Sequence, residues 1–258
     1  MNGPILKPSV QTLIDRYYPV AADGVRHRDG TRPFYDWILR TIEASNSTVL
    51  DVGAGPTPAA GRSLFGRVRR LVGVDVDPIV RTNSRLDEAH VNDGIHLPFD
   101  TEVFDAAYSD WTIEHVGQPL DFLKEINRVL KPNASYWFRT TNRNHYVTLV
   151  SAHTPHWFHR LTANRVRALP TGEHDPWPVR YRLNTPAEIS EIVPQAGFDP
   201  PEIRLLESHP SYLAFSAWAF RAGVLYERTV NRFERLSRYR LIILVRATKA
   251  SVLPRAHS

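Results

Sequence analysis

The sequence contains no cysteine among its 258 residues, and this absence removes several kinds of chemistry at once. It excludes disulfides, zinc–thiolate sites, iron–sulfur clusters and a cysteine nucleophile. No apolar run approaches the roughly 20 residues that a membrane-spanning helix needs. The start, MNGPILKPSV, also lacks the charged-then-apolar pattern of a signal peptide, which predicts a cytoplasmic location.

Repeats and low-complexity tracts are absent as well, and the composition is that of an ordinary globular protein. Hydrophobic residues make up 42% and charged residues 23%, which is typical of a globular protein. The length predicts a single domain over residues 1–258. Residues 131–258 carry 18 basic against 9 acidic side chains, whereas residues 1–130 carry 14 against 18. A basic half can bind an anionic partner, but the charges are scattered along it, so the sequence disfavours nucleic-acid binding.

Strand and helix patterns alternate along most of the chain. The predicted strands are 48–52, 70–74, 89–92, 104–109, 135–140, 203–206 and 239–247. The predicted helices include 10–20, 33–44 and 119–130, with another that begins after an N-cap at Thr185 and ends near Gly197. Strands that alternate with helices indicate an α/β fold, in which a parallel sheet is covered on both faces.

The segment VLDVGAGPTPAAG, residues 49–61, has the form of a strand that ends in a tight glycine turn against a ligand. A phosphate ligand is disfavoured. No Gly-Lys-Ser/Thr follows, and Pro58 stands where a dinucleotide fingerprint has its third glycine. Pro56 and Pro58 also lack the N–H groups that a pyrophosphate would use.

Two later segments supply groups suited to a nucleoside. In LVGVDVDP, Asp75 ends the second strand, where its carboxylate can accept hydrogen bonds from both ribose hydroxyls. In VNDGIHLPF, Asp93 can accept from the adenine amine, and the backbone N–H groups near Gly94 and Ile95 can meet the ring nitrogens. The residues therefore predict a nucleoside ligand that carries no phosphate.

Four ordered blocks carry a family resemblance: VLDVGAGPTP, LVGVDVDP, NDGIHLPFDTEVFDAAYSDWTIEHV and FLKEINRVLKPNASYWFRTTN. Together they resemble class I S-adenosylmethionine-dependent methyltransferases, in particular the bacterial group of ubiquinone-type and small-molecule methylases. The resemblance covers residues 46–142 and, more loosely, the closing strands. It implies S-adenosyl-L-methionine as cofactor and a Rossmann-like, seven-stranded, mostly parallel sheet with helices on both faces and a last antiparallel strand.

The resemblance also implies roles for particular side chains. Near the methionine part of the cofactor it places Asp51, Gly53, Gly55, Ser109 and Asp110, the last two beside the methionine carboxylate or the substrate. It implies that Asp75 binds the ribose and that Asp93 contacts the adenine. Asp77 is either a further ligand contact or a solvated side chain. Two departures from the family pattern are Thr57 for a third glycine and Asn133-Ala134 for a Gly-Gly pair.

A hydroxyl acceptor would be helped by a general base, and histidine is the usual base near neutral pH. His145 and Tyr146, which follow the fifth predicted strand, are the best-placed candidates, and His115 follows the fourth. Each histidine is therefore a candidate for catalysis, with a purely structural role as the alternative.

The chain divides into residues 1–45 with N-terminal helices, a cofactor-binding core over 46–140, an insertion over 141–184 and C-terminal elements over 185–258. The insertion predicts a lid over the substrate. Its His153, His156 and His159 are spaced for one helix face, but Pro155 interrupts that face, so no metal site is predicted.

The apolar stretch 212–226 predicts a buried helix, with a membrane or partner contact as the alternative. The sequence predicts a small-molecule methyltransferase with oxygen as the favoured acceptor atom. RNA or protein methylation and a non-catalytic scaffold remain as alternatives. The identity of the acceptor and the oligomeric state are left open.

Overall fold

The computed structural model describes residues 8–22, 24–58, 61–148 and 179–251. Its main helices are α1 (Pro8–Tyr17), α2 (Thr31–Thr41), α3 (Pro119–Val129), α4 (Pro186–Gln195) and α5 (Ala217–Arg232). Its strands are β1 (Thr48–Val52), β2 (Arg70–Asp75), β3 (Glu88–Val91), β4 (Phe104–Asp110), β5 (Leu130–Thr141), β6 (Glu202–Leu206) and β7 (Ile242–Thr248).

The strands form one sheet in the order β3-β2-β1-β4-β5-β7-β6. β1 pairs in parallel with β2 and β4, β2 with β3, and β4 with β5. β7 runs the other way. The Lys249 N–H donates to the Ala134 carbonyl, whereas the Asn142 N–H donates to the Leu241 carbonyl, so β7 numbers fall as β5 numbers rise. The predicted seven-stranded, mostly parallel sheet with an antiparallel last strand is confirmed.

β1 lies at the centre of the parallel part, and all five of its residues are buried. This explains why Val49 and Leu50, on opposite faces of the strand, are both apolar, because a central parallel strand is covered on both faces. The carboxyl ends of β1 to β5 lie along one edge of the sheet. Asp75 and Asp110 end β2 and β4 there, and the turn at Gly53 follows β1.

Two predicted strand starts differ from the structure by more than one residue. β5 begins at Leu130 rather than 135, because the pairing slips from Phe104–Leu130 to Ala106–Ser135. The slip accommodates Pro132 and a left-handed backbone at Asn133 (φ 63°), a conformation that glycine adopts without strain. β7 begins at Ile242 rather than 239, since Glu234–Tyr239 forms a 3₁₀ helix.

The predicted N-cap of α4 at Thr185 is confirmed. The Thr185 hydroxyl accepts from the Glu188 N–H at 3.2 Å, and Pro186 occupies the first turn. The Glu188 carboxylate accepts from the Asn184 N–H at 3.1 Å, one residue earlier than a capping box requires. Gly197 follows the helix in the left-handed conformation (φ 87°), as a C-terminal stop does.

The chain separates into two compact units. One comprises Met1–Arg32, Thr141–Pro178 and Leu205–Ile242, and the other comprises Pro33–Thr140, Val179–Arg204 and Ile243–Ser258. In the first unit, α1 and the start of α5 share an apolar cluster that includes Ile14 and Phe220. In the second unit, buried side chains of α2 and α3, such as Phe34 and Ile126, belong to the core.

The stretch 212–226 is not the wholly buried helix that the sequence predicts. α5 starts at Ala217, and its buried positions are Phe220, Gly223, Val224, Glu227 and Val230. Trp218 and Leu225, by contrast, are exposed. Among the helices of the described ranges, none is long and apolar enough to cross a membrane.

Candidate functional site

The glycine turn after β1 is held against β2. The N–H groups of Gly53 and Ala54 both donate to the Val74 carbonyl, at 2.8 and 3.1 Å. Gly53 is left-handed (φ 78°), and a Cβ there would lie 2.3 Å from the Thr112 hydroxyl oxygen. Gly53 is therefore required by the close approach of the segment that follows β4, whose Thr112 hydroxyl donates to the Val52 carbonyl.

Gly55 has a different environment. It is also left-handed (φ 54°), but a Cβ built on it would have no other heavy atom within 4 Å. Its N–H donates to Asp75 Oδ2 at 2.9 Å, and Asp75 Oδ1 accepts from the Asp77 N–H at 2.9 Å. The turn thus wraps around the Asp75 carboxylate and leaves open space beside Gly55. This arrangement forms a cradle for a ligand at the end of β2.

Asp77 caps the 3₁₀ helix Pro78–Thr82, because its Oδ1 accepts from the Ile79 N–H at 2.9 Å. A structural role therefore accounts for this carboxylate. Thr57, which replaces a family glycine, has a structural role as well. Its hydroxyl accepts from the Ser84 N–H at 2.9 Å, which ties the glycine turn to the segment after the 3₁₀ helix.

The loop that follows β3 is organised by Asp93. Its Oδ1 accepts from the N–H groups of Ile95 and His96 at 2.9 and 2.7 Å, and its Oδ2 lies 2.7 Å from His96 Nδ1. These hydrogen bonds hold the pKa of Asp93 well below its usual range, since each favours the ionised form. The Ile95 N–H thus has a partner other than the predicted adenine nitrogen, and Gly94 supplies the turn (φ 89°).

Asp51 lies beneath the turn and is almost fully buried. Burial raises its pKa to about 7; the hydrogen bond from the Tyr108 hydroxyl (2.6 Å) opposes the shift, and the nearby Asp110 and Asp75 add to it. Its carboxylate thus contacts Tyr108, and its predicted contact with the methionine part of the cofactor stays a prediction.

This burial predicts a pH-dependent stability. Because the folded state raises the Asp51 pKa from 3.8 to about 7, it binds the proton more tightly than the unfolded state does. The contribution to stability is therefore greatest below about pH 4 and is lost as the pH rises towards 7. The amide oxygen of Asp51→Asn can still accept from Tyr108. We expect the stability of this variant relative to wild type to be greater at about pH 8 than at about pH 5. Urea denaturation at both pH values measures this difference, with exposed Asp199→Asn as the control. A variant that gains nothing on going to the higher pH would contradict the assignment.

At the end of β4, Asp110 forms an ion pair with Arg139 of β5. Arg139 Nη2 lies 2.7 Å from Asp110 Oδ2, a second bond joins Nε to Oδ1, and the Tyr35 hydroxyl donates to Oδ2 at 3.1 Å. The Arg139 side chain has no exposed surface, whereas that of Asp110 is 17% exposed. Asp110 thus reaches the surface of the site while it neutralises a buried cation.

Ser109, the neighbour of Asp110, is fully buried, and its hydroxyl shares a hydrogen bond with the Tyr136 hydroxyl. Successive residues of a strand point to opposite faces, so the side chains of Ser109 and Asp110 lie on opposite faces of the sheet. The predicted contact between Ser109 and the cofactor or substrate stays a prediction.

Trp111 was missed by the sequence analysis. It adopts a left-handed backbone (φ 61°), which costs an L residue about 1–2 kcal/mol. The Arg139 guanidinium lies 5.0 Å from the centre of its ring, within the range of a cation–π contact. The Trp111 N–H also donates to the Arg139 carbonyl at 3.3 Å. The buried arginine therefore fixes an aromatic ring at the carboxyl end of the sheet.

Glu114 is a second buried acid in the segment after β4 that the sequence analysis did not single out. Burial raises its pKa to about 7, and its carboxylate accepts from the Thr140 hydroxyl at 3.1 Å. Asn184 donates in turn to that hydroxyl at 2.7 Å. The sequence gives no signal for this network, because the three residues are far apart in the chain.

The two candidate histidines differ in exposure. His115 ends the 3₁₀ helix Ile113–His115 and is half-buried. His145 is buried, its Nδ1 accepts from the Val147 N–H at 3.2 Å, and its Nε2 lies 3.1 Å from Glu207 Oε2. His145 Nδ1 is therefore engaged by the backbone, whereas its buried Nε2 approaches Glu207 without forming a hydrogen bond, and the predicted role of His145 as a general base stays a prediction.

Tyr146 packs against His145 with ring centres 4.3 Å apart, and burial raises its pKa to about 12. It is therefore poorly suited to act as a base near neutral pH. Residues 149–178 of the proposed lid, with His153, His156 and His159, lie outside the described residues. In the described part of the chain, no group of three or more His, Asp or Glu side chains is arranged to hold a metal ion.

Comparison with known proteins agrees with this geometry. Residues 50–138 match the family model of the methyltransferase domain. The ubiquinone biosynthesis O-methyltransferase of Aromatoleum aromaticum is 23% identical over 189 residues, which are 70% of this chain and 76% of the relative.

Two solved structures show the same fold. One is a putative methyltransferase in complex with the Trm112 activator of Haloferax volcanii (TM-score 0.54, 20% identity, 86% of this chain and 92% of that chain). The other is phosphoethanolamine N-methyltransferase 2 of Haemonchus contortus in complex with S-adenosyl-L-methionine (TM-score 0.53, 16% identity, 86% and 53%).

The domain match and the strand order lead to one conclusion. The chain contains a methyltransferase domain over residues 50–138, and it is an S-adenosylmethionine-dependent methyltransferase with S-adenosylmethionine as its cofactor. Within that class, it is similar to the ubiquinone biosynthesis O-methyltransferases at low identity.

Proposed function

We propose that this methyltransferase acts on a small molecule and transfers the methyl group to a hydroxyl oxygen. The observation that carries the proposal is the half-buried His115, placed in the segment that follows β4, whose carboxyl end lies at the same sheet edge as the Gly55 cradle. The similarity to O-methyltransferases that act in ubiquinone biosynthesis supports oxygen as the acceptor atom.

The residues at the cradle fit the cofactor. Gly55 leaves the space that a Cβ would fill, and the Asp75 carboxylate keeps lone pairs for ribose hydroxyls beside its two backbone bonds. Asp93 and Gly94 shape the loop that we assign to the adenine, and Asp110 is partly exposed on the side that we assign to the methionine. Once bound, the cofactor supplies an electrophilic methyl group on a positively charged sulfur.

The protein's own side chains supply the other requirements of methyl transfer. They align the acceptor hydroxyl with the methyl group, which is the main requirement of an in-line displacement. A histidine then accepts the hydroxyl proton at an imidazole nitrogen. His115 suits this role better than His145, because His115 is half-buried whereas the ring of His145 is almost completely buried. Trp111, held by Arg139, offers an aromatic wall for the acceptor.

The experiment that tests the proposal follows S-adenosylhomocysteine production with a panel of phenols, catechols and aliphatic alcohols. We expect His115→Ala to lower kcat on the accepted substrate about 100-fold, because the base is lost, and to leave cofactor affinity unchanged. His145→Gln is the matched variant: we expect it to lower the free energy of unfolding and to change kcat far less.

Either of two results would reject the proposal. One is an active His115→Ala variant beside an inactive but folded His145→Gln variant, which would move the base to His145. The other is cofactor binding without turnover of any hydroxyl compound, together with methylation of an amine, an RNA or a protein.

A further inference from the structure

The outer face of α5 carries apolar side chains that folding does not explain. Of the large apolar residues in the described part of the chain, the three most exposed are Trp218 at 78%, Leu225 at 69% and Phe215 at 64%. Trp218, Ala222 and Leu225 follow the three- and four-residue spacing of a single helix face, and Phe215 comes just before the helix. We call the exposed residues Trp218, Arg221, Ala222, Leu225, Arg228 and Arg232 the outer face of α5.

The opposite face already provides the packing that the helix needs. Phe220 and Val224 are buried in a cluster with residues of α1, including Ile14. Glu227 is buried among hydrogen-bond donors, with Tyr18 Oη at 3.0 Å and Asn231 Nδ2 at 2.6 Å. The outer apolar residues therefore leave a contiguous apolar stripe in water, which soluble surfaces avoid unless it binds something.

The charge on the outer face is entirely positive. Arg221, Arg228 and Arg232 lie at the same helical spacing, and the single acid of α5 is the buried Glu227. The Arg221 guanidinium lies 5.5 Å from the Trp218 ring, and that of Arg228 lies 5.3 Å from the Tyr17 ring. The apolar stripe is thus bordered along its length by cations, and two of their guanidinium groups lie over aromatic rings.

We propose that the outer face of α5 docks on the surface of an anionic lipid bilayer. An interfacial helix combines aromatic and aliphatic side chains that enter the headgroup region with arginines that bind lipid phosphates, and the outer face has both. A second copy of the chain is disfavoured as occupant, because two faces of like charge would repel. RNA would account for the arginines but leaves the exposed Leu225 and Ala222 without a partner.

The test measures co-sedimentation of the full chain with phosphatidylcholine vesicles and with vesicles of equal parts phosphatidylcholine and phosphatidylglycerol. We expect binding to the anionic vesicles only, weakened by salt. Two variants separate the contributions. Trp218→Ser with Leu225→Ser removes the apolar stripe, and Arg221→Gln, Arg228→Gln and Arg232→Gln remove the charge. We expect the charge variant to bind about 100-fold more weakly, from roughly 5-fold for each arginine.

Phe65→Ser is the matched control, since Phe65 is an exposed aromatic residue (41%) outside α5. The control is expected to bind vesicles as wild type does, and circular dichroism checks that each variant is folded. Three results would overturn the proposal: no binding to anionic vesicles, unchanged binding by both folded α5 variants, or binding to single-stranded RNA in place of vesicles. The outer face and the cofactor cradle share no residue, so methyl transfer and vesicle binding can fail separately.

Discussion

Replacing Asp110 with alanine is expected to lower the free energy of unfolding by about 3–5 kcal/mol, the cost of removing one partner from a buried ion pair. Arg139 has no exposed surface, and Asp110 accepts hydrogen bonds from two of its nitrogens. Without the carboxylate, the guanidinium stays buried against aromatic rings such as those of Phe34 and Trp111. Neither water nor a ring face compensates a buried cation as a carboxylate does.

Removing the other partner of the pair, in Arg139→Met, is expected to lower the free energy of unfolding less than Asp110→Ala does. Asp110 remains 17% exposed and keeps the hydrogen bond from Tyr35, so water can solvate part of its charge. Combining Asp110→Ala with Arg139→Met removes both charges, and we expect the double variant to be more stable than Asp110→Ala alone. Urea denaturation of the four proteins, followed by circular dichroism and tryptophan fluorescence, completes this cycle. If Asp110→Ala lies within about 1 kcal/mol of wild type, the pair is not the buried charge pair described above.

The sequence predicted the parts of the fold that depend on local patterns. The apolar run of β1, the glycines at its end and the acid that ends β2 are neighbours in the chain or come one element apart. Parallel strands bring their carboxyl ends to one edge, so these groups had to converge once the alternation of strands and helices was recognised. The capping residues at Thr185 and Gly197 were predicted for the same reason, because a helix end is a local signal.

The contacts around Arg139 could not be predicted in this way. Its burial depends on Asp110, 29 residues earlier, and on α2, and nothing in the local sequence FRTTN distinguishes it from an exposed arginine. The left-handed backbone of Trp111 is likewise set by tertiary contacts, since a tryptophan carries no preference for that conformation.

The candidate histidines also show what the position of a residue in the sequence cannot predict. The position of His145 after β5 makes it a well-placed candidate base, but its ring is buried, and the neighbouring Glu207 comes 62 residues further along the chain (207 − 145). Position after a strand therefore predicts which residues reach the functional edge. It does not predict which of them remain exposed there.

Replacing Asp75 with alanine is expected to weaken binding of S-adenosylmethionine and S-adenosylhomocysteine by 100-fold or more, which corresponds to about 2.7 kcal/mol. The proposed ribose contacts are two hydrogen bonds to a charged group, each of which contributes about 1.5–3 kcal/mol. The carboxylate also fixes the turn, through the N–H groups of Gly55 and Asp77, so the variant loses part of the cradle as well as the ribose contacts.

Titration calorimetry separates these two effects when Asp75→Asn is measured beside Asp75→Ala. The amide can still accept one N–H bond from the turn but cannot accept from both ribose hydroxyls as an ion, so its affinity should lie between those of alanine and wild type. Asp199→Asn, an exposed aspartate that follows α4, is the control and should bind as wild type does. If both Asp75 variants also bind as wild type does, the ribose is held elsewhere and the cradle at Gly55 is not the nucleoside site. If Asp75→Asn binds as weakly as Asp75→Ala, the charge on the carboxylate holds the ribose, and the order of the turn contributes little.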